Sequence, residues 1–247
     1  MTRKYPLKIT HAPAKPRFAV ARAATLPPRV DNRARFCLPV YDQGDLGSCT
    51  ANALCSALQT LLPNPSFQPS RMFLYENELL LDGETIPNDD RGSTMETGQG
   101  VLESLGVCSE ATWTYDPARH FGTRPPEAAY TEARAHKLLA AEHVDPADFR
   151  ATLAQGHVLV MGFSVFESFE SPEVARTGVV PLPKPGENCL GGHAICVCGY
   201  DNATQRYLVR NSWGPHWGQE GYFTVPYAYF ENPGLTSAAY VLLKLAP

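Results

Sequence analysis

The spacing of the apolar residues changes from a helical to a strand period near the middle of this 247-residue chain. The first half carries three runs at helical spacing, each ending at a helix-breaking residue. These runs are residues 49–62, stopped by Pro63, residues 70–81, stopped by Gly83, and residues 97–105, stopped by Gly106. In the second half the apolar residues alternate, which predicts strands over residues 158–166, 178–181, 194–200, 206–210, 221–225 and 239–245. The change predicts an α+β protein.

Two more helices are predicted where the period changes, over residues 126–141 and 146–155. Residues 1–25 show no sustained period and are rich in proline, alanine and basic side chains, as in an extended or docked leader. The sequence therefore divides into a leader, residues 1–25, a mainly helical lobe, residues 26–140, and a mainly β lobe, residues 141–247. We expect the lobes to form one domain and to exchange segments at the termini.

The leader and the rest of the chain carry opposite charge. Six of the 21 basic residues and none of the 25 acidic ones lie in residues 1–25, so the remaining residues, with fifteen basic side chains, carry a net charge of −10. The leader lacks the apolar stretch of a secretory signal. No other run approaches the roughly 18 to 20 apolar residues that span a bilayer. We expect no membrane span, and a cytoplasmic protein or one exported without such a signal.

Cofactor and nucleic-acid motifs are missing from the sequence. The seven cysteines are odd in number and lack the paired spacing of a disulfide framework or a zinc site. Cys196 and Cys198 alternate within a predicted strand and should share one face as small core residues; a metal site that joins them to His193 is the lesser alternative. The short basic leader lacks interleaved aromatic residues. We expect no cofactor, no metal and no nucleic-acid partner.

A thiol lies at the predicted start of the first helix. Cys49 follows Ser48, a plausible N-cap, and the unpaired N–H groups of a helix N-terminus favour an anion. This predicts a lowered pKa for Cys49, although a buried structural cysteine is the common alternative. Gln43 lies in a turn with Gly44 and Gly47, from which its amide and the Cys49 N–H could together bind an oxyanion.

Two downstream segments supply a base and a group to orient it. His193 follows two glycines at the start of a predicted strand, and could pair with the thiolate and later protonate a leaving amine. Asn211 ends another strand and could fix the orientation of the imidazole, while Trp213 shields their hydrogen bond. Each residue alone could be structural, and His216 is the rival histidine. Together they predict acyl transfer through sulfur.

These segments, Gln43 to Cys49, Gly192-His193-Ala194 and Asn211-Ser212-Trp213-Gly214, resemble the papain family of cysteine peptidases over most of the chain. The short basic leader and residues 186–193 resemble a bacterial branch of that family that includes xylellain. The resemblance implies a two-lobe fold, with a helical lobe packed against an antiparallel, β-barrel-like lobe and the active-site cleft between them.

The resemblance also implies the roles of single residues. Cys49 would be the nucleophile, His193 the base and acid, Asn211 the orienting residue and Gln43 an oxyanion donor. The substrate, a polypeptide in extended conformation, would lie along Gly92, Ser93, Gly192 and Trp213, with Trp213 on the leaving-group side. Leu46 stands where the family's usual half-cystine lies, so that disulfide cannot form.

Three functions are open at this point. The first is an endopeptidase held latent by its own N-terminal segment, which the opposite charges of leader and body would draw together. The second uses the same thioester chemistry as a transpeptidase or a peptidase of narrow specificity. The third is a pseudopeptidase whose cleft binds an extended chain without turnover.

Overall fold

The structure, a computed structural model, describes residues 3–11, 15–20, 25–62, 64–87 and 89–246. Part of the leader and the predicted helix stop Pro63 lie outside these residues. The helices are α1 (Cys49–Leu58), α2 (Arg71–Leu81), α3 (Met95–Ser104), α4 (Pro117–His120), α5 (Glu127–Ala133), α6 (Phe149–Ala154), α7 (Pro172–Thr177) and α8 (Tyr227–Phe230), with 3₁₀ turns at Arg33–Arg35, Arg134–His136, Pro146–Asp148 and Glu167–Glu170. The strands are β1 (Arg29–Asp31), β2 (Leu138–Val144), β3 (Leu159–Phe166), β4 (Cys189–Asp201), β5 (Arg206–Arg210), β6 (Tyr222–Pro226) and β7 (Thr236–Leu245).

The strands form one antiparallel sheet in the order β2-β7-β3-β4-β5-β6, with β1 paired to β4 beside this path. The predicted combination of helices with an antiparallel sheet is confirmed. In the described part of the chain the end strands β2 and β6 do not pair with each other, so the sheet is open. The expected barrel-like closure is therefore too strong a description.

Helices α2 and α3 begin where a side chain accepts a hydrogen bond from one of their first N–H groups. The Ser70 side chain accepts a hydrogen bond from the Phe73 N–H at 3.0 Å, and α2 starts at the next residue, as predicted. Helix α3 starts two residues earlier than predicted because Thr94 caps it, accepting from the Thr97 N–H at 2.9 Å. No helix in the described residues is long and apolar enough to cross a membrane.

Two predicted elements are wrong. The helix predicted over residues 126–141 ends at Ala133, and β2 follows because its residues pair with the distant strand β7, a contact that local spacing does not reveal. Residues 178–181 form no strand, since Val179 makes only an isolated bridge to Thr224. Strand β2 runs across the expected lobe boundary at residue 140, which stays a prediction.

Successive side chains of the central strands lie alternately in two buried apolar clusters. Along β3, Val160 lies in the cluster that includes α1–α3, while Leu159 and Met161 lie in the other. Cys196 and Cys198 of β4 both belong to the helical cluster, as predicted for residues on one face. All ten residues of α1 are buried, and α1 packs against β4. This packing fixes the start of α1 beside the strand that carries His193.

Candidate active site

Cys49 is the first residue of α1, and its side chain is buried. Ser48 precedes it but makes no capping hydrogen bond to the helix, contrary to the predicted N-cap. The Ser48 hydroxyl instead pairs with the Tyr115 hydroxyl at 2.6 Å and accepts from Asn52 Nδ2 at 3.1 Å. The first turn therefore lacks a side-chain acceptor from Ser48, and its N–H groups face the thiol position.

The hydrogen bond between His193 and Asn211 fixes the tautomer of the ring. Asn211 Oδ1 accepts from the Ser212 N–H at 2.9 Å and lies 2.9 Å from His193 Nε2. Because that oxygen can only accept, Nε2 carries the proton. His193 Nδ1 is then the basic nitrogen, and it is buried without a hydrogen-bond partner among the described residues. A proton acceptor is thus available on the ring.

The thiol of Cys49 lies against the strand that carries this ring. The backbone N–H of Ala194, the residue after His193, stabilises the thiolate form by hydrogen bonding, as do the N–H groups of Thr50 and Cys49 itself. This contact places Cys49 against β4 beside Ala194, the residue that follows His193. Trp213 stacks on the imidazole, with ring centroids 5.0 Å apart, and shields the ring from water.

Gln43 reaches the same region from the loop before α1. Its Oε1 accepts from the Ser212 hydroxyl at 2.6 Å, and its Nε2 donates to the Leu46 carbonyl at 2.9 Å. The Leu46 bond uses one of the two amide hydrogens, so the second remains for an oxyanion beside the Cys49 N–H. Ser212 therefore orients the amide, a contact that its position beside Asn211 in the sequence could have suggested.

Burial favours the uncharged forms of Cys49 and His193, whereas the sequence predicted a charged thiolate. Burial raises the pKa of the Cys49 thiol to about 12, and the N–H hydrogen bonds only partly offset this. Burial also lowers the pKa of His193 to about 4; its hydrogen bond to Asn211 opposes the change, and the nearby Arg3 guanidinium adds to it. Both shifts favour the uncharged thiol and the uncharged imidazole. The expected lowered thiol pKa is wrong for this buried thiol, because desolvation outweighs the N–H hydrogen bonds.

The leader lies along two of the predicted substrate-lining residues through backbone hydrogen bonds. The Gly192 N–H donates to the Tyr5 carbonyl at 3.1 Å, and the Gly192 carbonyl accepts from the Leu7 N–H at 3.3 Å. One residue later, the Lys8 N–H donates to the Ser93 carbonyl at 3.1 Å. The segment therefore occupies the groove as an added extended strand would.

The other two predicted substrate-lining residues also contact the leader. A Cβ atom on Gly92 would lie 2.3 Å from the Pro6 carbonyl oxygen, so only glycine permits this approach. The Arg3 guanidinium lies 4.0 Å from the centroid of the Trp213 ring. The leader thus crosses the cleft from Trp213 towards Gly192 and Ser93. Its occupancy of the groove could not be read from its composition alone.

Comparison with known proteins gives one family model and related chains. The model of the papain family cysteine proteases matches residues 26–242. An uncharacterized peptidase C1-like protein of Acanthamoeba polyphaga mimivirus is 37% identical over 222 residues, which are 84% of this chain and 70% of the relative. A cathepsin B-like protein of Giardia intestinalis is 30% identical over 231 residues, which are 86% of this chain and 73% of the relative.

Solved structures resemble the whole chain. Xylellain, a cysteine protease from Xylella fastidiosa, superposes with a TM-score of 0.87 at 34% identity and covers 99% of this chain and 97% of its own. A digestive procathepsin L 3 of the Tenebrio molitor larval midgut has a TM-score of 0.71 at 19% identity over 96% of this chain and 76% of its own, a likeness of fold alone.

Proposed function

Since the chain belongs to the papain family of cysteine proteases and is a cysteine-type peptidase, we propose that it is an endopeptidase that forms an acyl-enzyme on Cys49 and is held latent by its leader. The family, its mixed fold and the likeness to xylellain agree with the resemblance predicted from the sequence. The observation that carries the proposal is the arrangement of Cys49, His193 and Asn211 beneath a leader that fills their cleft.

In the proposed reaction, His193 Nδ1 takes the proton of the Cys49 thiol while the sulfur attacks the substrate carbonyl carbon. The carbonyl electron pair moves onto oxygen, where the Cys49 N–H and the Gln43 amide stabilise it. Collapse breaks the C–N bond, and the leaving amine receives the proton from His193. Water then attacks the thioester, with His193 as base, and releases the acid and the free thiol.

The direction of the leader explains why it blocks the cleft without being a substrate. If Trp213 marks the leaving-group side, the substrate runs from its amino end at Gly92 to its carboxyl end at Trp213. The leader runs the opposite way, from Arg3 at Trp213 to Lys8 at Ser93. A reversed peptide presents its carbonyl and nitrogen in the wrong order for expulsion towards that side, so the leader inhibits by occupancy.

Charge holds the leader along its whole described length. Each described basic residue of the leader lies within ion-pair distance of a carboxylate of the body. The pairs are Arg3–Glu170 at 3.6 Å, Lys4–Asp90 at 2.7 Å, Lys8–Asp82 at 3.5 Å, Lys15–Glu103, and Arg17 with Asp145 at 2.7 Å and Asp148 at 2.9 Å. Lys4 and Lys8 remain more than half exposed, so each of their pairs contributes about 1 kcal/mol or less. Arg17 is also more than half exposed.

The one buried side chain in the described part of the leader is apolar. Leu7 is 5% exposed, and a Cβ atom on Gly162 would lie 2.2 Å from its Cδ2 atom. Burial of a leucine side chain contributes about 1.5 to 3 kcal/mol, more than any one exposed ion pair. Leu7 is therefore the position at which one substitution should loosen the leader most.

We expect Leu7→Asp to raise the hydrolysis rate of a fluorogenic peptide amide by the full chain about tenfold or more, because a carboxylate cannot be buried at this site without a partner. Ala19→Asp is the matched control, since it makes the same charge change at an exposed leader position and should leave the rate unchanged. Equal rates for both variants would remove the latency proposal. Mass spectrometry of the products with an added amine separates hydrolysis from transpeptidation.

A further inference from the structure

Asp90 lies at the edge of the loop that precedes the nucleophile. Its carboxylate accepts from the Gly47 N–H at 2.9 and 3.1 Å and from the Tyr75 hydroxyl at 2.6 Å. Its side chain is 8% exposed in the leader-covered cleft. Because Gly47 is two residues before Cys49, these bonds fix the carboxylate to the loop that leads into the nucleophile. The sequence analysis assigned no role to this residue.

A basic side chain of the leader occupies the position in front of this carboxylate. Lys4 Nζ lies 2.7 Å from Asp90 Oδ2. Among the described residues this is the one ion pair of Asp90, since the neighbouring Arg91 pairs with Glu84 and Asp89 instead. Release of the leader therefore leaves Asp90 as a positioned anion without a cation.

The location of Asp90 identifies which residue of a substrate would reach it. Gly92, two residues further along the chain, lines the side of the cleft opposite to Trp213, where the acyl portion of the substrate lies in the proposed reaction. The Gly47 contact fixes the carboxylate to the loop that leads into the nucleophile on this acyl side. A substrate side chain that extends towards this loop belongs to the residue whose carbonyl is attacked, since that residue lies over Cys49.

We propose that Asp90 selects lysine or arginine at the residue that supplies the attacked carbonyl, so that the substrates are polypeptides cut after a basic residue. The inference rests on the proposed function. Lys4 imitates the bound substrate side chain, although the leader runs in reverse. The Tyr75 hydroxyl bonds to Oδ1 and both oxygens share the Gly47 N–H, so an ammonium or guanidinium group can bind at Oδ2, where Lys4 binds in the leader-covered cleft. An uncharged side chain would leave the carboxylate without a cation.

The test compares two fluorogenic peptide amides that differ only in lysine or norleucine at the cut residue. We expect the full chain to show a kcat/KM about tenfold higher for lysine, the size typical of a charge-assisted hydrogen bond that is partly exposed to solvent. The ratio of the two values is independent of leader opening, because the leader covers the cleft equally for both substrates. Asp90→Asn should bring the ratio close to one, whereas Asp89→Asn, which removes an exposed neighbouring charge, should preserve it.

Each outcome separates this inference from the proposed function. Equal kcat/KM values for lysine and norleucine in the unsubstituted chain would overturn the selection by Asp90 and leave the peptidase in place, whether or not Asp90→Asn folds. A lysine preference that survives in folded Asp90→Asn would also overturn it. If neither the full chain nor the Leu7→Asp variant hydrolyses either peptide, the proposed function and the inference are overturned together.

Discussion

Replacement of Cys49 by alanine in the Leu7→Asp chain should lower peptide hydrolysis by about 10⁶-fold, to the level of contaminating activity. The reason is that the acyl-enzyme needs the sulfur itself, and loss of a nucleophile that acts with a base removes the function of both. The measurement is the initial rate of amide hydrolysis, compared between the two chains at equal concentration.

Cys55→Ala is the matched control for this loss. Cys55 lies in the same helix and is also buried, and burial raises its thiol pKa well above the usual value. The same substitution there removes a thiol without touching the cleft, so activity should remain. Retained hydrolysis in Cys49→Ala, or equal losses in both variants, would contradict the assignment of the nucleophile.

Replacement of His193 by alanine should slow hydrolysis by about 10⁴-fold, near the upper end of what one acid–base group contributes. The thiol then lacks the Nδ1 acceptor for its proton, and the leaving amine lacks a donor. The thermal unfolding midpoint, measured in parallel, separates lost catalysis from lost folding. The Michaelis constant should change much less than kcat, since the imidazole is not expected to contribute most of the substrate contacts.

His216→Ala is the corresponding control, because His216 is the histidine that competed for this role in the sequence. It is exposed in the structure, beyond the turn that carries Trp213. We expect near-normal rates for this variant. A larger loss of rate in His216→Ala than in His193→Ala would identify His216 as the base instead of His193.

Local patterns were sufficient to predict most of the fold. Caps and breakers marked α2 and α3, and alternation marked β3 and β5 almost to the residue. They failed at β2, because its pairing with β7 joins residues about a hundred positions apart. The open sheet edge and the isolated bridge at Val179 likewise depend on partners that spacing does not encode.

The candidate site was predictable as a set of residues but not as a charge state. Spacing and neighbours singled out Cys49 and His193, and the structure packs the start of α1 against β4, the strand that carries His193. The reversal of the expected thiol pKa comes from burial of Cys49 in the folded chain, which local sequence around Cys49 cannot show. The contact of Asp90 with Gly47 also required coordinates, since it joins separate loops.

The most direct measurement is the site at which a peptide carrying a carbon electrophile, placed where the attacked carbonyl would lie, becomes covalently attached. Mass spectrometry of the Leu7→Asp chain should map a single adduct to Cys49 at pH 7. The unsubstituted chain should react far more slowly, because its thiol is neutral beneath the leader. Adducts on the exposed thiols of Cys37 and Cys189, with Cys49 unmodified in both chains, would contradict the account.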